Sequence, residues 1–481
     1  MPDLLKITRS GSPGRVIFFV SIRGQSPWKP SQLTDMDLLP FQRTHAQRVI
    51  DSLRRHRTAL DASDPGVGKT YVASHVAKTT GLSLLVVAPK PVLPAWRKVA
   101  AAFGTSVVEI TNYEQIRLGK TPYGRFVDTR FVWSVPPGTL LVFDEAQKCK
   151  ARTTQNAEML IAAKRQNIPT LLCSATAASN PLEMRAIGYA LGLHRLHDYW
   201  PWALSHGVEK GQFGMEFNGD RHALERLHSR IFGPGCPGAR MRIADIPDFP
   251  ETQIIAEPVG TGQERKIQAI YDRMARELNH ALAVEDYIEL DDLANQMDAT
   301  KANHLTILLR ARQQIEELKA KTIAAMAKDG VEEGMSVAVF VNFDSTVNEV
   351  AALLKTKCVI RGGQRDPDRE NFVRRFQANE ESFIVCNIRA GGVGISLHDP
   401  TGGKPRLALI SPTYSAQDLR QALGRVHRAG GAHSIQRIIF AAGTCEERAC
   451  EAVATKLGHI DLLNDGDLQG QLQMPATQEM V

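Results

Sequence analysis

The sequence predicts an α/β protein with two parallel-sheet lobes in tandem and a helical insert or connector between them. Short apolar runs alternate with helical stretches, in two separate series along the 481-residue chain. Such alternation is typical of parallel strands covered by helices on both faces. Between the two series the apolar spacing becomes that of amphipathic helices, which favours a helical connector.

The predicted strands fall into two groups of short runs rich in Val, Ile and Leu, as expected of buried strands. The first group comprises residues 58–60, 84–87, 107–110, 140–143 and 171–173. The second comprises residues 337–343, 358–360, 383–385, 407–410 and 435–440. The five predicted strands of each group are enough to form one sheet.

The same pattern sets the predicted domain boundaries. They are 1–37 for an N-terminal segment of unknown role, 38–250 for the first lobe, 251–335 for the connector, 336–465 for the second lobe and 466–481 for a flexible tail. Residues 16–22 form one possible strand in the N-terminal segment. In the connector, two apolar stripes at helical spacing are expected to pack helices together rather than bind a ligand. They are Ile267, Ile270, Tyr271, Met274, Leu278 and Ala281, and then Leu305, Leu308, Ile315 and Leu318.

The composition is that of a globular protein. The chain has 58 Lys+Arg against 52 Asp+Glu, a net charge of +6 that permits nucleic-acid binding without requiring it. The seven cysteines include no Cys-x-x-Cys pair, which favours buried free thiols in a reducing compartment. Apolar runs are too short for a bilayer crossing or for the core of a signal peptide. We therefore expect an intracellular protein that has no membrane contact.

A glycine-rich turn follows the first predicted strand. Residues 63–70 read Ser-Asp-Pro-Gly-Val-Gly-Lys-Thr, and a helical stretch, 71–79, comes next. In this context a loop offers backbone N–H groups to phosphates, a lysine to the outer phosphates and a hydroxyl to Mg²⁺. The predicted ATP-binding residues of the loop are Pro65, Gly66, Val67, Gly68, Lys69 and Thr70. Ser63 stands where the strict pattern has glycine, so an incidental turn is the alternative.

Adjacent carboxylates end the predicted strand 140–143. In a phosphate-loop site, Asp144 would help to hold Mg²⁺ together with Thr70, partly through water, and Glu145 would orient and activate the attacking water. A strand end with solvated acids is the alternative. Upstream, the Gln42 amide offers one donor and one acceptor to an adenine edge, although a solitary glutamine is more often only solvated.

A second phosphate-binding candidate lies far along the chain. Residues 421–428 read Gln-Ala-Leu-Gly-Arg-Val-His-Arg, and we expect Arg425 and Arg428 to lie on one helical face. Arginines supplied by a separate lobe complete a nucleotide site only when the lobes close, which couples hydrolysis to movement. Most arginines on a helix are instead solvated.

In order, these segments resemble the motifs of the superfamily 2 helicases and translocases, most closely the Snf-type branch of chromatin remodellers and annealing helicases. The resemblance covers about residues 38 to 460 and is an ordered set of motifs rather than a single match. It implies two RecA-like lobes. The matching segments are residues 39–42, 66–70, 88–90 with Trp96, 111–114, 144–147, 174–176, 180–183, 362–376, 391–394 and 421–428.

The resemblance also implies roles. The implied catalytic residues are Lys69, Glu145, Gln421, Arg425 and Arg428, acting on ATP with Mg²⁺. Arg425 and Arg428 would be finger residues, and Gln421 would help to align the γ-phosphate and water. The implied neighbours of a nucleic-acid backbone are Lys90, Thr111, Gly391 and Gly392. Backbone contact carries no sequence information, as a translocating motor requires, and double-stranded DNA is the expected track.

Several residues depart from the pattern of the Snf-type branch. Gln147 stands where His is commoner, residues 174–176 read Ser-Ala-Thr where remodellers typically show Gly-Thr-Pro, and Ser396 stands where Asn is frequent. Residues 240–242, Arg-Met-Arg, resemble a basic stretch of the branch. The departures bear on the sub-branch more than on the chemistry. The remaining residues leave no room for a chromatin-reading or zinc module, so a compact bacterial or viral motor is expected.

Three functions are consistent with these residues. The first is a DNA-stimulated ATPase that translocates on duplex DNA or remodels or anneals it. The second is a strand-separating DNA or RNA helicase, because contacts that track a backbone serve either polymer. The third is an inactive nucleic-acid-binding scaffold, against which the presence of Lys69, Glu145 and the finger arginines argues.

Overall fold

The structure, a computed structural model, describes residues 37–211, 214–246, 249–250, 252–277, 299–391, 395–413, 415–428, 431–444 and 446–447. The possible strand 16–22 and the predicted tail 466–481 lie outside this description. The described residues divide into two compact units, the first ending at residue 246 and the second beginning at residue 249. The two units are each built on a parallel sheet.

The first unit contains a six-stranded parallel sheet and two antiparallel hairpins. Its strands are β1 (Thr58–Asp61), β2 (Ser83–Ala88), β3 (Val107–Asn112), β4 (Gly124–Val127), β5 (Arg130–Trp133), β6 (Thr139–Asp144), β7 (Thr170–Cys173), β8 (Val208–Gly211), β9 (Gly214–Phe217) and β10 (Gly238–Ala239). The sheet order is β10-β1-β7-β6-β2-β3, and β4–β5 and β8–β9 form the hairpins. The first group of predicted strands is confirmed as β1, β2, β3, β6 and β7.

Helices pack against this sheet and bury apolar side chains, some of them in one large cluster with the strands. They are α1 (Pro40–His56), α2 (Lys69–Thr80), α3 (Leu93–Phe103), α4 (Tyr113–Arg117), α5 (Gln155–Arg165), α6 (Arg185–Leu191), α7 (Tyr199–Leu204) and α8 (Arg221–Phe232). The predicted helix over 71–79 is confirmed within α2. Gly81, in the left-handed conformation, ends α2 and donates its N–H to the Ala77 and Lys78 carbonyls.

The second unit contains another six-stranded parallel sheet, of order β11-β16-β15-β12-β14-β13. Its strands are β11 (Thr252–Val259), β12 (Ser336–Val341), β13 (Val359–Ile360), β14 (Phe383–Asn387), β15 (Arg406–Ile410) and β16 (Ser434–Ala441). Its helices are α9 (Glu264–Glu277), α10 (Ala299–Glu332), α11 (Asp344–Leu354), α12 (Asp366–Gln377), α13 (Ile388–Gly391) and α14 (Ala416–Leu423). The second group of predicted strands is confirmed, and with it the α/β class with two parallel sheets in tandem.

Strand β11 corrects the expectation that the segment 251–335 is helical from its start. It pairs in parallel with β16, with Thr252 opposite Ser434. Its sequence includes Gln253, Glu257 and Pro258, which are unfavourable in a central strand. The position of β11 at the edge of the sheet tolerates them, because one side of an edge strand needs no ladder bonds.

The rest of the connector is helical where the structure describes it. Ile267, Tyr271 and Met274 of α9 are buried in one cluster with Leu308 and Ile315 of α10, as the two apolar stripes predict. Leu278, Ala281 and the side chain of Leu305 fall outside the description. Across the described ranges, no helix has the length and apolar character needed to cross a membrane.

Candidate functional site

The phosphate loop joins β1 to α2. Gly66 and Gly68 have φ angles of 87° and 93°, in the left-handed region that glycine adopts without steric cost. A Cβ at Gly68 would also lie 2.4 Å from Gln42 Nε2. The loop ends at the N-terminus of the 12-residue helix α2, where the unpaired N–H groups and the helix dipole favour an anion. The backbone therefore has the form that phosphate binding needs.

Lys69 is the first residue of α2, and its side chain folds back along the loop. Its Nζ donates to the Ser63 carbonyl at 2.7 Å and to the Asp64 carbonyl at 3.0 Å. Thr70 follows it in the first turn and is partly exposed. The ammonium and the hydroxyl thus lie at the same end of the sheet, beside the glycine turn.

Ser63, the departure from the strict loop pattern, is completely buried. Its hydroxyl accepts the Met241 N–H at 3.0 Å and lies 3.2 Å from His45 Nε2. The same histidine nitrogen lies 3.1 Å from Asp61 Oδ1. Burial by itself raises the pKa of Asp61, but the charge and hydrogen bond of His45 lower it, and the resulting pKa is about 2. A serine at this position therefore anchors the loop to residues distant in sequence, which a glycine could not do.

Asp144 is the last residue of β6, and the positive charge of Lys69 acts on its carboxylate. Its carboxylate accepts the Trp96 indole N–H at 2.7 Å and the Glu145 N–H at 3.0 Å. Burial and the charge of Glu145 raise the pKa of Asp144 to about 6, against the lowering effect of Trp96 and Lys69. A bound divalent cation would offset this concentration of negative charge. The Asp144 carboxylate and the Thr70 hydroxyl are also oxygen donors of the class that Mg²⁺ prefers, so these residues fit the metal.

Glu145 has a φ of 54°, which is uncommon for a residue with a side chain and frequent at functional sites. Its Oε2 accepts the Gln147 side-chain N–H at 2.7 Å. The Gln147 Oε1 in turn accepts the Ser174 hydroxyl at 2.6 Å, and the Ser174 hydroxyl accepts the Thr176 N–H at 3.1 Å. An amide can donate and accept at once. Gln147 therefore connects Glu145 to the segment 174–176, a link that the sequence does not reveal.

Gln42 lies in the first turn of α1 and is 5% exposed. Its Nε2 donates to the Val67 carbonyl of the phosphate loop at 2.8 Å, and its Oε1 accepts the Leu39 N–H at 3.0 Å. The structure thus places Gln42 directly against the loop. A primary amide has two donor hydrogens and an oxygen with two lone pairs, so these bonds leave the capacity to meet an adenine edge.

The candidate residues of the second unit lie around the end of α14. Gln421 is in its last turn, but the helix ends at Leu423, so Arg425 and Arg428 are not on a helical face as expected. Glycine at position 424 favours this termination. Both arginines donate to the Ile395 carbonyl, Arg425 through Nη1 at 3.2 Å and Arg428 through Nη2 at 3.1 Å. The shared acceptor brings the two guanidinium groups together without a continuous helix.

The four residues expected near a nucleic-acid backbone differ in accessibility. Lys90 is exposed, just after β2. Thr111 is only 2% exposed, and its hydroxyl donates to Gln115 Oε1 at 2.9 Å, so its side chain faces the protein. Gly391 is the last residue of α13. Gly392 lies outside the described residues.

Comparisons with known proteins find three similarities. Residues 318–430 match the helicase conserved C-terminal domain family. The chain is 32% identical to a putative ATP-dependent RNA helicase, L364, of Acanthamoeba polyphaga mimivirus, over 92% of this chain and 86% of that protein. A solved structure, the Sulfolobus solfataricus SWI2/SNF2 ATPase core in complex with dsDNA, is similar with 17% identity and a TM-score of 0.36, over 90% of this chain and 94% of that one.

Proposed function

Since the chain belongs to the superfamily 2 helicases and is an ATP-hydrolysing enzyme that acts on nucleic acid, we propose that it uses Mg²⁺-dependent ATP hydrolysis to move along, remodel or anneal duplex DNA. One observation carries the proposal for the site. Asp61, which ends the strand before the loop, and Asp144, which ends β6, are both register partners of Cys173 in adjacent parallel strands, and the Lys69 charge lowers the pKa of Asp144. The glycine loop and the adjacent carboxylates therefore belong to one site at the carboxyl ends of the strands, where ligands bind in such sheets.

The first unit supplies the binding groups. Backbone N–H groups of the loop, with Lys69, would hold the phosphates, and the Gln42 amide would meet the adenine. Thr70 and Asp144 would hold Mg²⁺, which neutralises charge on the transferred phosphoryl group when it is bound. Glu145 would orient the attacking water, and its bond to Gln147 fixes the direction of its carboxylate.

The second unit would supply charge stabilisation. Gln421, Arg425 and Arg428 lie within one short segment, and both guanidinium groups lie at the Ile395 carbonyl. Arginines that reach the developing charge only in a closed state make hydrolysis depend on lobe movement. This dependence is the physical basis for a motor.

The choice of duplex DNA is supported by the resemblance of the ordered motifs to the Snf-type branch, including the basic segment 240–242. Among the residues that the resemblance implies beside a phosphate backbone, Lys90 is exposed after β2 and carries a charge that meets phosphates without reading bases. Such a grip is electrostatic, so we expect binding to weaken steeply with salt.

A strand-separating helicase is the second candidate, and one observation favours it. The mimivirus relative carries the name of an RNA helicase. RNA and DNA duplexes offer the same kind of phosphate contact, and the residues named above do not discriminate between them.

Two assays separate these candidates. Displacement of a third strand from a DNA triplex reports translocation on duplex DNA, and separation of partly duplex DNA and RNA reports helicase activity. We expect ATP-dependent triplex displacement without strand separation, with Lys69→Ala as the inactive control. Unwinding of an RNA duplex without triplex displacement would instead establish the second candidate.

A further inference from the structure

The first half of the phosphate loop is hydrogen-bonded to the edge of its own sheet. The parallel ladder between β1 and β10 continues beyond both strands: the N–H groups of Leu60, Ala62 and Asp64 donate to the carbonyls of Pro237, Ala239 and Met241 at 2.9, 2.9 and 3.0 Å. The Met241 N–H returns a bond to the Ser63 hydroxyl at 3.0 Å. Residues 239–243, which we call the edge segment, thus follow the loop as far as Asp64.

Arg240 makes a buried, charged contact between the edge segment and the loop. Its Nη2 lies 3.0 Å from Asp64 Oδ1, and its Nη1 donates to the Ala62 carbonyl at 2.6 Å. The side chains of Arg240 and Asp64 are 7% and 14% exposed. One planar guanidinium therefore fixes both the backbone before the loop and a side chain within it, which the single point charge of a lysine would not reproduce.

Asp64 connects Arg240 to the phosphate-binding groups. Its second carboxylate oxygen accepts the Ile243 N–H at 2.8 Å, so both oxygens are held by the edge segment. Its own carbonyl accepts the Lys69 ammonium at 3.0 Å. A continuous path of contacts runs from Arg240 through Asp64 to Lys69.

The loop needs such a constraint. Gly66 and Gly68 adopt conformations open to glycine, and the same freedom makes the loop costly to order when it is not held. A binding site whose donors are already in place avoids that cost on ligand binding. A buried ion pair is by contrast a weak device for stability alone, because both charges lose their hydration.

We propose that Arg240 is a positioning residue for nucleotide binding, which acts through Asp64 to fix the first half of the phosphate loop. The proposal rests on the proposed function, because it presumes that residues 66–70 bind ATP. Arg240 does not touch the phosphates in this scheme. Its removal should weaken ATP binding and leave the chemical step intact once ATP is bound.

The test compares Arg240→Gln, Arg240→Lys and Asp64→Asn with the wild-type full-length chain. We expect Arg240→Gln to raise the KM for ATP and the Kd for a fluorescent ATP analogue by about tenfold, with kcat within about twofold of wild type. The KM and Kd of Arg240→Lys should lie between those of the wild type and those of Arg240→Gln. The double variant of Arg240→Gln with Asp64→Asn should lose much less than the sum of the single changes, because the residues act as one pair.

Arg185→Gln is the matched control. Arg185 repeats the pattern in the same unit, with Nη1 2.7 Å from the Arg152 carbonyl and 3.6 Å from Glu158 Oε1. An unchanged KM in Arg240→Gln would overturn the inference, as would equal losses of affinity and thermal stability in Arg240→Gln and Arg185→Gln. If the wild-type chain hydrolyses ATP and Arg240→Gln keeps its affinity for ATP, the inference fails but the proposed function is unaffected. A wild-type chain that does not bind ATP defeats the proposed function and the inference together.

Discussion

The two units have similar sheets but hold their candidate groups differently. In the first unit, Lys69 at the start of α2 and Asp144 at the end of β6 are held by neighbours such as Ser63 and Trp96, and Gly66 and Gly68 adopt left-handed conformations. In the second, Arg425 is only 4% exposed, and it shares the Ile395 carbonyl with Arg428. The first unit thus has its candidate nucleotide-binding groups held in place, whereas the role that we propose for the second unit is to contribute arginines to the reaction. Substitutions in the phosphate loop should therefore weaken ATP binding, whereas substitution of the finger arginines of the second unit should lower turnover and leave binding intact.

The largest effect is expected from Lys69→Ala. Removal of the ammonium takes away the positive side chain of the phosphate loop, so ATP hydrolysis should fall by at least about 10³-fold, with weaker ATP binding. A steady-state assay of phosphate release measures the first, and titration of a fluorescent ATP analogue measures the second. Lys78→Ala, in the last turn of the same helix, is the control and should behave as wild type. Equal activity of the two variants would mean that the loop is not the ATP site.

Arg428→Ala should lose turnover and keep binding. Finger arginines contribute about 10³ to 10⁵ in rate, so kcat should fall within that range while the affinity for ATP changes little. Rapid-quench measurements report the rate of hydrolysis, and equilibrium-binding measurements report the affinity for ATP. Arg361→Ala, which removes an exposed arginine of the second unit, is the control. Near-normal turnover in Arg428→Ala would contradict the division of labour between the units.

Arg425→Ala should also destabilise the second unit. Its buried guanidinium satisfies the Ile395 carbonyl, and hydrogen bonds from charged groups contribute about 2 kcal/mol. Trp96, Trp133, Trp200 and Trp202 lie in the first unit, so in a Trp28→Phe background fluorescence reports that unit and circular dichroism reports both. We expect a loss of stability by circular dichroism without a shift in the fluorescence transition. If Arg425→Ala is as stable as wild type, Arg425 has no role in stability and, like Arg428, would serve only the reaction.

Gln147→Ala should have a smaller effect, within the first unit. Without the amide, Glu145 and Ser174 lose their link and the carboxylate loses orientation, so kcat should fall by about tenfold with KM unchanged. The double variant with Ser174→Ala should be no worse than Gln147→Ala alone. Additive losses would show that the two residues act independently.

The effect that is smallest at neutral pH is a pH dependence in the second unit. Burial, with the charges of Arg428 and Arg406, lowers the pKa of His398 from 6.5 to about 4. The folded state therefore binds fewer protons than the unfolded state between these values, and stability should decline as the pH falls from 6.5 to 4. The loss should be at most about 3 kcal/mol. Denaturant unfolding across this range should show the decline, and His398→Gln should reduce it. A pH profile unaffected by that substitution would remove His398 as the cause.

The same comparison shows what the sequence could predict. The loop at Gly66 and Gly68 is local, so a short motif specifies it, and buried strands such as β12 follow from their apolar runs. Strand β11 escapes prediction because its polar residues and Pro258 are tolerated only at a sheet edge, and which strand lies at an edge is a property of the whole fold. Arg240 is 176 residues from Asp64, and no spacing rule connects them. Gly424 ends α14 before Arg425, which overrides the apparent helical spacing.

The central claim is that ATP hydrolysis in the first unit is coupled to a nucleic-acid track. The direct measurement is the rate of ATP hydrolysis by the wild-type chain without nucleic acid and with duplex DNA, single-stranded DNA or RNA at saturation. Duplex DNA should raise kcat by about tenfold or more, within the usual range of coupling between two sites, and added salt should abolish the increase. A rate unchanged by any of the three polymers would contradict the claim.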